Sequence, residues 1–194
     1  MKEENLSQSD IILKVAYRCI SEKGYANVSL RDIASEAKVA LSQLNYYYKN
    51  KEGLFLEVTK VLTAKFLKEI EDTLKKGSTE EEKLADLVSY FRHLNNHSTD
   101  SLRLLYDLTG MALWSDSFKS VLEDLFKSSA DIIEQYIITP KAEQSLLKKV
   151  SKETLARTIL GTLYGISLLA ILAPEEKNIY DPLSNLALMM GYEI

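Results

Sequence analysis

The sequence is poor in the residues that interrupt regular secondary structure and in the residue that forms covalent cross-links. Its 194 residues include only seven glycines, three prolines and one cysteine. So few helix breakers favour long helices over many short strands and turns. A single cysteine excludes an internal disulfide and fits a reducing compartment. No alternating strand pattern and no repeated unit is present, so we predict an all-α globular protein.

Targeting signals and long hydrophobic segments are missing as well. The first ten residues, MKEENLSQSD, lack the basic and apolar parts of a secretion signal. The longest apolar stretch, residues 159–173, has 15 residues, which is short for a membrane span and typical of a buried helix. These features predict a cytoplasmic protein that does not associate with a membrane.

Motifs for catalysis or metal binding are also absent. The sequence contains no nucleophile elbow, phosphate-binding loop or metalloprotease motif. His93 and His97 have a spacing that can chelate a metal, but Asp100 is the only further ligand nearby, so we favour solvent-facing or hydrogen-bonded histidines. Cys19 lies on the apolar stripe of the first helix, which favours a core thiol over a redox sensor. We expect neither enzyme activity nor a metal or other cofactor.

The charge is acidic overall and uneven along the chain. The net charge is −4, but residues 1–55 hold eight Lys and Arg against seven Asp and Glu, and the remainder holds 16 against 21. Residues 38–51 contain three lysines and no acid. A local basic window on an acidic protein favours a localised contact with a polyanion. An ordinary solvated face remains the alternative.

Apolar spacing in the first 50 residues predicts three short helices. The first helix ends at Gly24, and Ser29 followed by Asp32 forms a capping-box-like start of the second. Two short helices then follow, over residues 30–37 and 40–48, separated by a tight turn. Ala34 is small enough for them to cross closely. This is the spacing of a helix-turn-helix, whose second helix lies in the DNA major groove, although other helical hairpins have similar spacing.

The stretch GYANVSLRDIASEAKVALSQLNYYYKNKEGLF, residues 24–55, resembles the DNA-binding domain of the TetR family of bacterial transcription regulators. The resemblance covers residues 8–60. It implies a TetR-type domain over residues 6–66, with the helix-turn-helix at about 29–48, and an effector-binding and dimerisation domain over residues 67–194. Members of this family are dimers, and many are repressors that a small molecule releases from DNA.

Three positions depart from the family pattern. Lys38 stands in the turn where the family commonly has glycine, so the turn must be built differently or be strained. Ala40 cannot cap the recognition helix, which costs about 1 kcal/mol of helix stability. Asn45 replaces a frequent tyrosine. These departures prevent the operator sequence from being taken from relatives.

Four side chains are the candidates for reading the base sequence: Leu41, Ser42, Gln43 and Asn45. Gln and Asn can each make a bidentate pair with adenine, and Leu41 can lie on a thymine methyl group. We therefore expect a half-site that leans towards A and T. For Asn45 a phosphate or water contact is the alternative.

A second group of side chains is predicted to hold the DNA backbone. Lys51 combines its charge with the amides at the start of the next helix, which is a natural phosphate site. The resemblance implies that Tyr47 reaches a phosphate through its hydroxyl. Tyr46 is expected against the sugar-phosphate wall or a thymine methyl group, and Ser29 at the opposite phosphate edge. Tyr48 is expected to pack between the recognition helix and the helix after it.

The rest of the chain is predicted to form a helical bundle with a ligand pocket. Helices are expected at about residues 80–96, 101–113, 116–138, 152–173 and 181–191. Aromatic and methionine side chains suit an apolar effector, although plain core packing is the alternative. The candidate pocket residues are Phe66, Tyr90, Phe91, Tyr106, Met111, Trp114 and Phe126.

The segment ETLARTILGTLYGISLLAILA is apolar almost all round, which a monomer of this size can hardly cover. Together with the C-terminal DPLSNLALMMGYEI it resembles the dimer-forming helices of the family. A helix buried in the core of its own monomer is the alternative. The candidate interface residues are Gly161, Tyr164, Gly165, Leu168, Leu186 and Met190.

The sequence thus predicts a homodimeric transcription regulator that binds a near-palindromic operator in double-stranded DNA. The resemblance implies that it is a repressor, which a small apolar or amphipathic effector releases from its operator. Two alternatives remain open: a helical-bundle enzyme or ligand carrier without specific DNA binding, and a nonspecific nucleoid-type DNA protein, which the acidic bulk disfavours.

Overall fold

The computed structural model describes residues 7–138, 150–176 and 178–180, and within them every regular element is helical. The chain divides into two compact units. The first unit consists of Met1–Thr63 and Arg103–Leu122, and the second of Ala64–Leu102 and Glu123–Ile194. The α-helices are α1 Gln8–Lys23, α2 Leu30–Glu36, α3 Leu41–Tyr48, α4 Lys51–Leu74, α5 Glu80–His97, α6 Thr99–Ala112, α7 Asp116–Ile137 and α8 Lys152–Leu172.

The first unit is built on three short helices that pack against one another. Helices α1 and α2, α2 and α3, and α1 and α3 are in contact. Their shared core consists of fully buried apolar side chains, among them Ile12, Ala16, Ile20, Ile33 and Leu44. The predicted three-helix arrangement at the N-terminus is therefore confirmed.

Three helices begin with a reciprocal capping box. Ser29 accepts a hydrogen bond from the amide of Asp32 at 3.2 Å, and the Asp32 carboxylate accepts one from the amide of Ser29 at 2.9 Å. Ser7 and Thr79 start α1 and α5 in the same way. Such pairs satisfy amides that have no partner inside the helix, so these boundaries are set by local sequence.

The second unit has its own hydrophobic core, formed by α4, α5, α7 and α8. Buried members of this core include Ile70, Leu87, Phe91, Ile133 and Ile159. Helices α5 and α8 are in direct contact. The helices predicted at 80–96, 101–113, 116–138 and 152–173 are all present, with bounds that differ by two residues or fewer.

The packing units depart from a simple division of the chain after residue 66. Residues 103–122, which comprise most of α6 and the start of α7, belong to the same unit as the N-terminal helices. Sequence alone did not indicate this, because the contacts join segments far apart along the chain. The helix predicted at 181–191, with Leu186 and Met190, lies outside the described residues.

Helix α8 is longer than its 15-residue apolar stretch. It has 21 residues and a mean hydropathy of 1.7, which is enough by length and composition to cross a membrane. Length therefore does not exclude a span, contrary to the sequence argument. One face of α8, including Leu155, Ile159 and Leu163, is buried in the core of the second unit. Core helices of soluble proteins commonly pass the same test, so the feature is weak evidence for a membrane.

Candidate nucleic-acid interface

The turn between α2 and α3 is a Schellman motif with a lysine at its left-handed position. Lys38 has a φ of 55°. Its amide donates to the Ser35 carbonyl at 3.1 Å, and the amide of Val39 donates to the Ala34 carbonyl at 3.0 Å. These two hydrogen bonds end α2 in the geometry of this motif, in which the left-handed residue is usually glycine. Of the two predicted alternatives, a turn built differently or a strained turn, the structure has the second, since a non-glycine residue takes the left-handed position of the usual turn.

Helix α3 presents its predicted reading residues at or near the surface. Ser42 and Asn45 are exposed, Leu41 and Gln43 are half-buried, and Leu44 faces the core. The start of α3 has no side-chain cap, as expected for an alanine at position 40. The helix is therefore held in place by tertiary packing, since its own first turn supplies little stability.

Gln43 already has a partner in the protein without DNA. Its side-chain amide nitrogen donates to the side-chain oxygen of Gln8, at the start of α1. Gln8 was not among the predicted site residues, because a contact between residues so far apart leaves no trace in local spacing. Reading of adenine by Gln43 requires this bond to open or to share its amide with the base.

The three consecutive tyrosines of α3 occupy three environments. Tyr46 is 82% exposed and Tyr47 is 42% exposed, so both hydroxyls are available to a polyanion. Tyr48 is half-buried, and its hydroxyl donates to the backbone carbonyl of Ser9 in α1 at 2.8 Å. Burial raises the pKa of Tyr48, so this hydroxyl keeps its proton and its hydrogen bond. Tyr48 thus fastens α3 to α1, a contact that the sequence prediction did not include.

Lys51 lies in the first turn of α4, where its ammonium group sits 4.2 Å from the centre of the Tyr25 ring. Burial lowers the pKa of Lys51. A cation against an aromatic face is attracted by the ring electrons. The charge of Lys51 is therefore held against Tyr25 in the absence of DNA, and a phosphate would have to compete with the ring or approach the same ammonium group from outside.

Ser29 is less available to DNA than the sequence suggested. Its hydroxyl donates to the Asp32 carboxylate at 2.6 Å, so the proton that a phosphate would accept is already used in the capping box. Arg31, the second residue of α2, is exposed. It was not among the predicted DNA contacts, because it lies outside the acid-free window of residues 38–51.

The joint between α3 and α4 depends on a glycine. A Cβ atom on Gly53 would lie 2.5 Å from the carbonyl oxygen of Tyr48, which is closer than real contacts allow. The Asn50 side chain caps α4 by accepting from the Gly53 amide at 2.7 Å. The recognition helix therefore has a fixed position relative to the start of α4.

The predicted effector-pocket residues do not converge on one described cavity. Phe66, Tyr90, Phe91 and Phe126 belong to the second unit, whereas Tyr106, Met111 and Trp114 belong to the first. Trp114 is 90% exposed and lines neither described cavity, so its assignment to a pocket stays a prediction without support from the structure. Of the seven, only Phe126 lines one of the described cavities.

The predicted dimer residues that fall in the described part lie on α8. A Cβ atom on Gly161 or Gly165 would meet no atom within 4 Å. Leu168 is 37% exposed, and the neighbouring Leu172 is 71% exposed. Tyr164 is half-buried, and its ring lies edge to face with Phe126 at 5.3 Å between centroids. Helix α8 therefore has an exposed apolar part beside the face, with Leu155, Ile159 and Leu163, that is buried in the core of the second unit.

The contacts of Cys19, His93 and His97 in the structure are those of residues with a structural role. Cys19 is buried, as predicted, and its thiol donates to the Glu36 carboxylate at 3.1 Å. Burial, followed by the hydrogen bond to Glu36 and then by the charge of Glu36, raises the pKa of Cys19 to about 11. The rings of His93 and His97 are exposed and stacked with centroids 4.5 Å apart. Within the described residues no group of three potential metal ligands occurs.

Comparison with known proteins agrees with this architecture. Residues 12–58 match the family described as "Bacterial regulatory proteins, tetR family". A fatty acid metabolism regulator protein of Bacillus subtilis (strain 168) is 26% identical over 153 residues, 78% of this chain and 77% of that protein. A transcriptional regulator from Streptomyces coelicolor A3(2) has a similar structure, with a TM-score of 0.78, 21% identity, and coverage of 94% of this chain and 98% of that one. The structure of the fatty acid degradation regulator FadR from Bacillus halodurans is also similar, with a TM-score of 0.69 and 19% identity. The match covers 97% of this chain and 96% of that one.

Proposed function

This chain belongs to the TetR family of bacterial transcription regulators, and on that premise we propose that it is a cytoplasmic homodimeric repressor of a near-palindromic operator. The observation that carries the proposal is the α2–turn–α3 unit. Its second helix exposes Ser42, Asn45 and Tyr46 in a stretch from Lys38 to Lys51 that contains no acidic residue. Such a surface suits a major groove flanked by phosphates.

We assign different tasks to the side chains of this surface. Leu41, Ser42, Gln43 and Asn45 read base edges, because they occupy the helix that enters the groove. Tyr46, Tyr47, Lys51 and Ser29 remain assigned to the backbone, and Arg31, Lys38 and Lys49 join them as exposed cations. The protein is acidic as a whole, so this local cationic surface also orients the encounter with DNA.

The dimer is proposed to form through α8. Leu168, Leu169 and Leu172 are exposed apolar side chains on this helix. The backbone at Gly161 and Gly165 is uncovered, so a second copy can approach it closely. A groove of about 400 Å³ beside them, lined by Phe126, offers a recess for a partner side chain. Two-fold symmetry then places two recognition helices about one DNA turn apart, or a multiple of it.

The effector is proposed to be a small apolar or amphipathic molecule that binds in the second unit. The second unit is rich in buried aliphatic and aromatic side chains, which suit such a ligand. Two similar proteins are named as regulators of fatty acid metabolism and fatty acid degradation. Fatty acids and their derivatives are therefore the first compounds to add to the protein–DNA complex.

Selection of bound duplexes from a random DNA pool, at a stated salt concentration, tests this function. We expect enrichment of a near-palindromic motif, and release of that DNA when the right effector is added. A carrier or enzyme would enrich no motif. A nucleoid-type protein would bind all duplexes with similar affinity.

A further inference from the structure

We propose that a second cavity in the bundle binds a small monocarboxylic acid that carries a hydroxyl or amino group next to its carboxylate. The cavity has a volume of about 430 Å³ and lies at the C-terminal end of α5, against the end of α8 and the segment that follows it. Its lining is more polar than the groove beside Gly161, with Arg92, Asn95, Glu176 and Tyr180 among its residues. This volume lies in the range of small-molecule sites.

The amide of Asn95 defines one requirement for the ligand. Its nitrogen donates to the Phe91 carbonyl at 3.1 Å, which fixes the orientation of the amide, because only the nitrogen can donate. The other atom, Oδ1, is shielded from solvent and has no hydrogen-bond partner within the described residues. A buried acceptor without a donor is costly. A ligand that presents an O–H or N–H group would satisfy it.

Tyr180 provides a second polar group. Its hydroxyl is also shielded from solvent. The side-chain amide of Asn95 acts on this hydroxyl as a hydrogen-bond partner and opposes the effect of burial on its pKa. Burial raises the pKa of Tyr180, so the hydroxyl is neutral and can donate to a ligand oxygen. The shielded oxygen of Asn95, which has no donor within the described residues, is the observation that points to a ligand.

Arg92 supplies the charge that a carboxylate needs. Its guanidinium group lies 5.0 Å from the centre of the Tyr180 ring, which holds the cation at the wall that contains Asn95 and Tyr180. A guanidinium group can bind a carboxylate with two parallel hydrogen bonds. Glu176 on the same wall would repel a second carboxylate, so a monoacid fits better than a diacid. Ile179 and Pro174 leave space for a short apolar side chain.

The proposed ligand differs from the apolar effector by its need for a hydrogen-bond donor. As a binding site the cavity stands independently of any DNA function. As a regulatory site it rests on the proposed function, because only a DNA-binding protein can transmit ligand binding to an operator.

Matched pairs of acids test the inference by isothermal titration calorimetry on the full chain. The probes are L-leucine, L-2-hydroxy-4-methylpentanoate and 4-methylpentanoate, which share a carbon skeleton and differ in the donor. We expect at least one donor-bearing acid to bind about tenfold or more tightly than 4-methylpentanoate, since a satisfied buried polar atom is worth about that factor. Equal affinity for all three acids, or no binding at millimolar concentration, would overturn the proposal.

Two variants and a control locate the binding. Arg92→Gln should weaken binding of the preferred acid about tenfold or more, because it removes a charge-assisted pair. Tyr180→Phe should weaken it by a smaller factor without a change in cavity shape. Arg157→Gln is the control, since Arg157 is an arginine of the same unit that pairs with Glu153 on α8. If the control loses as much affinity as Arg92→Gln, the site lies elsewhere.

The two proposals can fail separately. Each preparation is checked by circular dichroism melting, and Tyr180→Phe decides the question if Arg92→Gln does not fold. The same preparations are then assayed on the selected duplex. Acid binding without any DNA enrichment rejects the repressor function alone, whereas operator binding without acid binding rejects the cavity assignment alone.

Discussion

The backbone amide of Tyr25 donates a hydrogen bond to Oδ2 of Asp107, 3.1 Å away and 82 residues further along the chain. The bond ties α6 to the loop that follows α1. The ring of Tyr25 also contacts Phe55 of α4, with centroids 4.5 Å apart, and supports the ammonium group of Lys51. Tyr25 thus connects the loop after α1 with α4 and α6 within the first unit.

Replacing Asp107 with alanine should loosen this connection. We expect the free energy of unfolding to fall by about 1 kcal/mol, the typical contribution of one hydrogen bond to a charged acceptor at the surface. Urea denaturation measures the change. Asp124→Ala, at an exposed position of α7, is the control and should change stability by less than about 0.5 kcal/mol. Equal losses in both variants would show that the bond to Tyr25 contributes nothing specific.

A substitution of Lys38, the left-handed residue of the turn between α2 and α3, is predicted to increase the stability of the protein. Lys38→Gly should raise the free energy of unfolding by about 1 kcal/mol, because glycine tolerates a φ of 55° without the steric penalty of a side chain. Urea denaturation again provides the measurement. Lys23→Gly is the contrasting variant, since Lys23 lies in the last turn of α1 and should lose stability from the same change. A loss of stability in Lys38→Gly would mean that the lysine side chain makes compensating contacts.

Replacement of Lys51 and of Gln43 with alanine is predicted to weaken DNA binding in two different ways. Loss of Lys51 should weaken binding to all duplexes alike and reduce the salt slope by about 1 per site. Loss of Gln43 should cost about 1–3 kcal/mol on the preferred half-site and hardly affect random DNA. Salt titrations on operator and scrambled duplexes measure both effects. A relaxed sequence preference in Lys51→Ala would contradict this division of roles.

Gln8 supplies the control for Gln43. Gln8→Ala removes the partner of the Gln43 side chain without removing the reading group. If Gln43 reads a base, Gln8→Ala should retain the sequence preference that Gln43→Ala loses. Equal loss in both variants would indicate that the pair matters for the position of α3 relative to α1 and not for base recognition.

The proposed interface on α8 predicts that a large side chain at position 165 weakens dimerisation. Gly165→Leu should weaken the dimer, because a branched side chain prevents close approach of a second backbone. Gly110→Leu is a matched control, since Gly110 is also a helical glycine whose added Cβ would meet nothing within 4 Å. Sedimentation equilibrium measures both association constants. An unchanged dimer in Gly165→Leu would place the interface on another surface.

The thiol of Cys19 should resist alkylation in the folded protein. With a pKa of about 11, roughly one molecule in a thousand carries the thiolate at pH 8, compared with about a quarter for an ordinary cysteine. Because the folded pKa is raised, the associated stabilisation is complete below the ordinary pKa and is lost as the pH rises towards 11. Iodoacetamide labelling with and without urea tests this, and equal rates in both conditions would contradict it.

Local sequence determined most helix boundaries and the identity of the DNA-binding element. Ser29 with Asp32 and Thr79 with Glu82 start their helices through contacts three residues apart, and apolar spacing identifies the buried faces. The strain at Lys38 was also predictable, because the φ that a turn requires is a local property. These features depend on neighbours in the chain, so the sequence displays them directly.

Only the tertiary structure decided which distant residues meet. It placed Gln8 beside Gln43, fastened Tyr48 to the carbonyl of Ser9, and exposed Trp114, which its aromatic character had suggested for a pocket. These outcomes depend on how whole helices pack. Hydrophobic burial and side-chain direction act between segments far apart in sequence, so no spacing rule along the chain contains them.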